Sequence, residues 1–341
     1  MSAEKINIGV IGVGHLGRLH VQQLQHVPEA NLVGIFDADA ERAQSIADEF
    51  GTTAFASPEL LMNAAEALTV VTPTTTHFEI AKTALGSGKH LFIEKPMMET
   101  LDQADEIIRL RDAAGAKIQV GHIERFNPAI MALHPLTINP LFIEAHRMAN
   151  FNPRGTDVAV VMDLMIHDID LILSFVKSKV KTVDASGASI ISPTEDIANC
   201  RILFENGCVA NVTASRISAR KMRKMRFFQP DAYISVDFLE GISEIYHIEK
   251  DEFKPSKETL AFSLGQIQQG TEQRNIRYSR LEKADLNPLQ YELQQFCQSI
   301  INDQTPPVTA EDGRRALHVA RLILNSIDEH TELVKKHWQL R

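Results

Sequence analysis

The chain has 341 residues, which is too long for one ordinary core and fits two domains of roughly 150 residues each. It carries 35 Lys and Arg against 44 Asp and Glu, a net charge of −9, and this acidic balance argues against binding nucleic acid through bulk charge. A hydrophobic content of 44% excludes a disordered chain, and no apolar run approaches the roughly 18 residues that cross a bilayer. The three cysteines, Cys200, Cys208 and Cys297, are scattered, so we expect no disulfides and a reducing, cytoplasmic compartment. A strand-like segment begins at Lys5, so we expect no signal peptide.

The first third of the chain alternates short apolar runs with segments of helical periodicity. The runs are rich in β-branched residues, as is typical of strands that are buried on both faces. This alternation predicts a right-handed, doubly wound parallel sheet. The predicted strands are 6–11, 32–36, 67–71, 90–93 and 117–120, and the predicted helices are 15–27, 40–50, 77–85 and 101–114.

The pattern changes after Gly121, where strands outnumber helices and Asn206-Gly207 marks a hairpin. We expect helices at 127–136, 163–176, 288–302 and 310–329, an extended run at 141–149 and strands within 181–248. The polar stretch 251–285 is expected to be a loop or an excursion from the sheet. The sequence therefore predicts an α/β protein with two domains. Residues 1–122 form the doubly wound domain, and residues 123–341 form an α+β domain with a large, mostly antiparallel sheet.

A glycine-rich turn directly follows the first predicted strand and opens the first helix. Its spacing, GxGxxG, permits a tight turn, a close approach of a pyrophosphate to the backbone, and close helix–strand packing. The helix N-terminus adds unpaired N–H groups. The alternative is a glycine turn without a ligand. The residues expected to bind the cofactor here are Gly12, Gly14, His15, Leu16 and Gly17.

Asp37 ends the second predicted strand, about 20 residues beyond the glycine turn. A carboxylate there accepts hydrogen bonds from an adenosine ribose and repels a 2′-phosphate, which favours NAD over NADP. The alternative is that Asp37 is only the N-cap of the next helix.

Two further strand ends carry polar residues, Thr72-Pro73 and Glu94-Lys95-Pro96. Ligands of doubly wound sheets bind at these carboxyl ends. Lys95 can stabilise negative charge that develops on a substrate hydroxyl, although a solvated surface lysine is the alternative. His77 follows at the start of a helix, where its side chain either packs against the helix terminus or lines the cofactor pocket.

Asp163 and His167 are four residues apart in a predicted helix and share one face. His167 can act as a general base and Asp163 can orient it or bind substrate. A structural histidine or a metal site are the alternatives, and because no Cys or HExxH motif lies nearby we expect no metal. Asp168 and Asp170 lie beside this pair, and we expect one of them to be structural.

Substrate contacts are expected from Arg125 and Asn127, which follow the last strand of the first domain at the domain junction, and from Arg154, in the loop before the His167 helix. An arginine can bind a phosphate or sugar bidentately, but Arg125 can equally pair with Glu124 or brace the domains. The basic run at 216–226 is either a solvated edge or a surface that attracts an anionic substrate.

Taken together, these motifs resemble the Gfo/Idh/MocA oxidoreductase family over nearly the whole chain. The resemblance rests on GVIGVGHLG, TPTTTHFEIAKTALGSGKHLFIEKP, VGHIERFNP, MDLMIHDIDL and the C-terminal segment from 288. It implies a Rossmann domain, a second domain whose sheet also makes a subunit contact, and hydride transfer between nicotinamide and a sugar or polyol hydroxyl. By matching positions, Lys95, Asp163 and His167 correspond to the catalytic residues, and Thr72, Pro73, His77 and Glu94 lie at the cofactor pocket.

Within the family, the junction segment and the basic segment are similar to members that act on UDP-N-acetylglucosamine. We therefore expect a nucleotide-sugar substrate and a homodimer or homotetramer, with no nucleic-acid or membrane partner. The alternatives are a free polyol dehydrogenase of the inositol type, a biliverdin-type reductase, and a non-catalytic dinucleotide-binding regulatory protein.

Overall fold

The computed structural model describes residues 5–152, 156, 158–248, 260–269, 272–281 and 286–338. The chain divides into two compact units, Met1–Ile123 with Asn287–Leu317 and Glu124–Leu286 with His318–Arg341. Within the described ranges, no helix is both long enough and apolar enough to cross a membrane.

Nine α-helices are described in these ranges, together with a 3₁₀ helix at Ile123–Phe126 and a π-helical turn at Val161–Met165. The α-helices are α1 His15–Leu24, α2 Ala40–Phe50, α3 Pro58–Ala64, α4 Thr74–Gly86, α5 Leu101–Ala114, α6 Pro128–Met131, α7 Ile166–Phe175, α8 Pro288–Ile301 and α9 Ala310–Trp338.

Fourteen strands are described, five in the first unit and nine in the second. They are β1 Ile6–Ile11, β2 Ala30–Phe36, β3 Ala67–Val70, β4 His90–Glu94, β5 Ile118–Gly121, β6 Phe142–Met148, β7 Val180–Ala188, β8 Ile197–Phe204, β9 Val209–Ser215, β10 Met222–Gln229, β11 Ala232–Asp237, β12 Ile242–Ile248, β13 Leu260–Gln269 and β14 Glu272–Leu281.

The sheet of the first unit is parallel, with the strand order β2-β1-β3-β4-β5. This is the predicted doubly wound sheet, and its strand order reverses between β1 and β3. In such sheets the crevice at the reversal, outside the carboxyl ends of the strands, is where ligands bind. Local sequence explains its helices well: Asp39 caps α2, Ser57 caps α3, and Thr100 with Gln103 forms a capping box on α5.

Helix α8 belongs to the first unit, although it lies far along the chain. Leu289, Leu293, Phe296 and Cys297 are buried in the same core as Ile8 and other residues of β1. The compact units therefore differ from the predicted division, which places every residue after 122 in the second domain. Amphipathic periodicity predicts α8 as a helix but does not indicate which core its apolar face covers. The division at 122 stays a prediction.

The sheet of the second unit has the order β13-β14-β12-β11-β10-β6-β9-β8-β7 and is antiparallel except where β6 pairs with β9. The large, mostly antiparallel sheet is therefore confirmed. Gly207 has a φ of +87°, as the predicted Asn206-Gly207 hairpin requires.

Two predictions about this unit are wrong in detail. The helix expected at 127–136 is the short helix α6 alone, because Asn127 is its N-cap and residues 132–136 form turns and a bend instead of continuing the helix. The stretch 251–285, predicted as a loop or an excursion from the sheet, contains the strands β13 and β14, which pair with each other and join the sheet next to β12. The sequence of β13 is polar because β13 is an edge strand whose side chains are largely exposed.

All three cysteines are buried, and burial raises the pKa of Cys200 and Cys297 to about 12 and that of Cys208 to about 11. The thiols therefore stay protonated near pH 8, and the native protein should react with a thiol-specific chromogenic reagent at much less than one equivalent. Unfolding in denaturant should release all three thiols in the same assay. Rapid labelling of one thiol in the native protein would contradict this burial.

Candidate active site

The three glycines of the turn differ in what surrounds them. A Cβ on Gly17 would lie 1.9 Å from the carbonyl oxygen of Gly12, so only glycine permits helix α1 to start this close to β1. Gly12 has a φ of +87°, and a Cβ there would lie 2.7 Å from the carbonyl oxygen of Val71. A Cβ on Gly14, in contrast, would meet no atom within 4 Å. The space beside Gly14, at the N-terminus of α1, therefore fits a pyrophosphate.

Asp37 lies at the end of β2, where its carboxylate accepts hydrogen bonds from the turn. Its Oδ2 accepts from the backbone N–H of Val13 at 2.8 Å, and its Oδ1 accepts from the backbone N–H of Asp39 at 2.9 Å. The guanidinium of Arg42 lies 3.2 Å from Oδ1. Asp39 provides the N-cap of α2, so the alternative of Asp37 as the cap is excluded.

A cleft of about 720 Å³ opens at the reversal point of the sheet and is lined by both of these features. Its walls include Gly12, Gly14, Asp37, Arg42, Thr72 and Pro73. It lies outside the carboxyl ends of β1, β2 and β3, which is the position expected of a dinucleotide in this topology. His15 and Leu16 are exposed at the first turn of α1, next to this opening.

Replacing Asp37 with serine should shift the cofactor preference from NAD towards NADP. The substitution removes the carboxylate that repels a 2′-phosphate, and Arg42 remains in place to pair with that phosphate. We expect kcat/KM for NAD to fall about tenfold, the value of a lost hydrogen bond to a charged group. Steady-state kinetics with both cofactors measure the ratio of kcat/KM for NADP to kcat/KM for NAD.

The control for this shift is Asp39→Ser, which removes another carboxylate that contacts Arg42, at 2.9 Å, and leaves Asp37 intact. Asp39→Ser should keep the preference for NAD. An unchanged NADP-to-NAD ratio in Asp37→Ser would show that Asp37 does not select the cofactor.

Glu94 is the last residue of β4, and Lys95 follows it. Glu94 is buried and Lys95 is half-buried. Glu94 Oε1 lies 3.1 Å from Nε2 of the buried His20, and Glu94 Oε2 accepts from the backbone N–H of Lys95. His77 was expected beside the cofactor, but its ring is buried, burial lowers its pKa, and both ring nitrogens lie within 3.3 Å of backbone carbonyl oxygens.

In the second unit, Asp163 lies in the π-helical turn and His167 lies in the first turn of α7. Single π turns within α-helices occur frequently at functional sites. Both side chains are half-buried, whereas Asp168 and Asp170 are buried. The predicted helix at 163–176 is confirmed except for the local widening that the π turn introduces.

Asp168 and Asp170 of this helix belong to a buried network of charged side chains that the sequence did not reveal. Arg147 on β6 donates two hydrogen bonds to Asp168, both 2.8 Å, and one to Glu124 at 2.7 Å. Burial alone would lower the pKa of Arg147, but the two carboxylates outweigh burial and raise it. Arg125 forms a second bidentate pair with Asp170, at 2.6 and 2.7 Å. Both aspartates beside His167 are therefore held by arginines.

The three expected substrate contacts have different outcomes. Arg125 pairs with Asp170, and this pair uses two of the donor groups of the guanidinium. Asn127 caps α6 and donates to Glu124 and to the carbonyl of Phe238, so its contacts are those of a structural residue. Arg154 lies outside the described residues. Their substrate roles stay predictions.

The basic run contains both paired and exposed cations. Arg216 is buried and donates to the carbonyl oxygen of Val158, shortly before the π turn, and Lys224 pairs with Asp237 at 3.1 Å. Arg220 and Lys221 are exposed in the turn before β10. The run therefore combines a structural part with an exposed basic turn.

Comparison with known proteins assigns the chain to a family. Residues 6–122 match the model of the oxidoreductase family with an NAD-binding Rossmann fold, and residues 142–234 match the GFO/IDH/MocA C-terminal domain. The chain is 42% identical over 240 residues to UDP-N-acetylglucosamine 3-dehydrogenase of Acidithiobacillus ferrooxidans, covering 70% of this chain and 76% of that protein. The chain belongs to the Gfo/Idh/MocA oxidoreductase family.

Two further similarities agree with this assignment. A solved structure of UDP-N-acetylglucosamine 3-dehydrogenase from Acidithiobacillus ferrooxidans superposes with a TM-score of 0.85 and 34% identity, over 95% of this chain and 98% of that chain. Inositol 2-dehydrogenase of Rubrobacter xylanophilus is 30% identical over 195 residues, covering 54% of this chain and 56% of that protein. The predicted NAD-dependent oxidoreductase with a Rossmann domain is confirmed, and the non-catalytic alternative is not supported.

Proposed function

We propose that this protein is an NAD-dependent dehydrogenase that oxidises a sugar hydroxyl of a nucleotide sugar, of which UDP-N-acetylglucosamine at its 3-hydroxyl is the best candidate. The observation that carries the substrate class is the 42% identity to an enzyme named for that reaction. The lysine, aspartate and histidine of the catalytic pattern are all present as Lys95, Asp163 and His167.

In the proposed mechanism, different residues remove the proton and stabilise the negative charge. NAD, held by the glycine turn and Asp37, supplies the hydride acceptor when bound. His167 accepts the proton of the substrate hydroxyl, and Asp163 fixes the imidazole or a neighbouring hydroxyl. In the catalytic pattern, Lys95 stabilises the negative charge that develops on a substrate hydroxyl. The proton thus leaves through His167 while the carbon is oxidised.

The exposed basic turn supports an anionic substrate. Arg220 and Lys221 are exposed, and the neighbouring Arg216 binds the segment that leads into the Asp163 turn. A nucleoside diphosphate carries negative charge that such a turn attracts, whereas a free polyol does not. Replacing both Arg220 and Lys221 with glutamate should raise KM for the nucleotide sugar at low salt and change kcat little. Leu60→Glu, an exposed site in the first unit, is the control.

A substrate panel tests the proposal directly. Wild-type protein is incubated with NAD and UDP-N-acetylglucosamine, myo-inositol or free hexoses, and the absorbance of the reduced cofactor is followed. We expect the highest kcat/KM with the nucleotide sugar. Higher kcat/KM with myo-inositol would favour the free polyol alternative and contradict the nucleotide-sugar assignment.

We also propose that the protein is a homodimer or homotetramer that associates through the large sheet. A row of six aromatic side chains supports this, because neighbouring rings are 4.9–5.7 Å apart across six strands of one sheet. Residues next to the row, such as Phe227, Ile234 and Ile245, face the buried side, so the row lies on the opposite face. The row consists of Phe142, Phe228, Tyr233, Tyr246, Tyr278 and Phe262.

Replacing Tyr246 and Phe262 with glutamate should dissociate the oligomer, since both are exposed in the free chain at 39% and 46%. Light scattering coupled to size-exclusion chromatography measures the mass. Leu60→Glu, which lies in the first unit, should leave the mass unchanged. A monomeric wild type would contradict the proposed association.

A further inference from the structure

We propose that two buried histidines, His20 and His77, are positioning residues that hold the backbone of Lys95 from both sides. The inference rests on the catalytic role proposed above for Lys95. His20 lies in α1, the helix that opens at the glycine turn, and His77 lies in α4, so two different helices converge on the turn after β4.

The residue before Lys95, Glu94, holds the Lys95 backbone on its N-terminal side. His20 is 0% exposed, and its Nε2 lies 3.1 Å from Glu94 Oε1. The other carboxylate oxygen of Glu94 accepts from the backbone N–H of Lys95 at 3.2 Å. A Cβ on Gly121 would lie 2.8 Å from the Glu94 carboxylate, so the carboxylate is also packed closely against β5. Imidazole, carboxylate and peptide N–H therefore form one connected chain of contacts.

The other side is held by His77, which is 1% exposed. Its Nε2 lies 2.9 Å from the carbonyl oxygen of Thr72, at the end of β3. Its Nδ1 lies 3.2 Å from the carbonyl oxygen of Pro96 and 3.3 Å from that of Met97. The ring thus joins the cofactor-side segment after β3 to the two residues that follow Lys95.

These contacts matter because a lysine side chain is long and flexible. The place of its ammonium depends on how firmly its backbone is held, and a misplacement of about 1 Å can cost on the order of 10²-fold in rate. Both imidazoles are almost inaccessible, so neither can itself touch a substrate. Their effect on the reaction should therefore pass through Lys95.

Double-mutant cycles test the proposal. His20→Leu and His77→Leu should each lower kcat about tenfold or more in the otherwise wild-type protein, and His20→Leu should change the Kd for NAD by less than about twofold. In a Lys95→Ala background, the same substitutions should lower kcat by less than about twofold, because the group that they position is gone. His77→Asn, whose amide can still bond a carbonyl, should recover part of the loss.

His90 offers a matched control on the same strand. It begins β4, and its Nδ1 accepts the backbone N–H of Lys117 at 2.9 Å, four residues before Glu94. His90→Leu should lower the melting temperature and leave kcat within about twofold, since it removes one partly buried hydrogen bond at the opposite end of β4 from Lys95.

The outcomes separate the inference from the proposed function. Full additivity, with the histidine substitutions costing the same factor in the Lys95→Ala background, would overturn the positioning role alone. Retention of wild-type kcat by Lys95→Ala would overturn both the role of Lys95 and this inference. If one leucine variant does not fold, the cycle on the other histidine and that on His77→Asn decide the matter.

Discussion

Replacing His167 with glutamine should lower kcat by about 10²- to 10⁴-fold, the range that a positioned general base contributes. Glutamine has a similar size and can hydrogen-bond, but it does not accept a proton at neutral pH. Binding of NAD should change little, because the glycine turn and Asp37 lie in the other compact unit. Turnover of UDP-N-acetylglucosamine with NAD measures kcat, and fluorescence titration with NADH measures binding.

The pH profile provides an independent readout of the same change. A general base must be deprotonated to act, so the activity of the wild type should rise with pH along an acidic limb, and His167→Gln should lose that limb. His134→Gln, at an exposed position of the same unit, serves as the control and should keep both the rate and the limb. Near-wild-type kcat in His167→Gln would remove the histidine from the mechanism.

Replacing Arg147 with methionine should reduce the free energy of unfolding by about 3–5 kcal/mol, the cost of leaving buried charges without their partner. Methionine keeps much of the length of the side chain, but Asp168 and Glu124 lose three hydrogen bonds that end on a side chain only 2% exposed. Denaturant titration with a two-state fit of the affected transition measures the loss.

The matched control for Arg147 is an exposed ion pair in the same unit. Lys335 and Glu332 lie 2.9 Å apart with side chains 53% and 73% exposed, and Lys335→Met should cost less than about 1 kcal/mol. Adding Asp168→Asn to Arg147→Met should recover part of the loss, because one uncompensated charge is then removed. A loss below about 1 kcal/mol for Arg147→Met alone would show that the network does not stabilise the fold.

The doubly wound sheet and its glycine turn could be predicted because their signals are local. Short apolar runs, N-caps such as Thr100, and the GxGxxG spacing each lie within a few residues, and they indicate the same strand–helix alternation. Asp37 was predictable for the same reason, since it follows β2 directly. Strand-end position and helical spacing singled out Lys95, Asp163 and His167 as candidates, and the resemblance to a family matched them to its catalytic residues; their roles stay predictions.

The residues that surround the site could not be predicted, because they depend on contacts between distant segments. Asp170 and Arg125 are 45 residues apart, and Glu94 and His20 are 74 apart. A lone buried histidine or arginine has no sequence pattern of its own, so neither His20 nor Arg147 was singled out. Strand β13 was missed because an edge strand with exposed side chains lacks the apolar pattern that marks a buried strand, and β14, its neighbour in the sheet, is itself mostly polar.

The position of α8 has a consequence for the order in which the chain can fold. Leu289, Leu293 and Phe296 complete the core around β1, yet a ribosome makes them more than 270 residues after β1. The nascent nucleotide-binding unit must therefore wait, with part of its apolar face uncovered, until nearly the whole chain has been synthesised. A fragment cut after residue 122 should aggregate, and adding a peptide of α8 should restore its solubility.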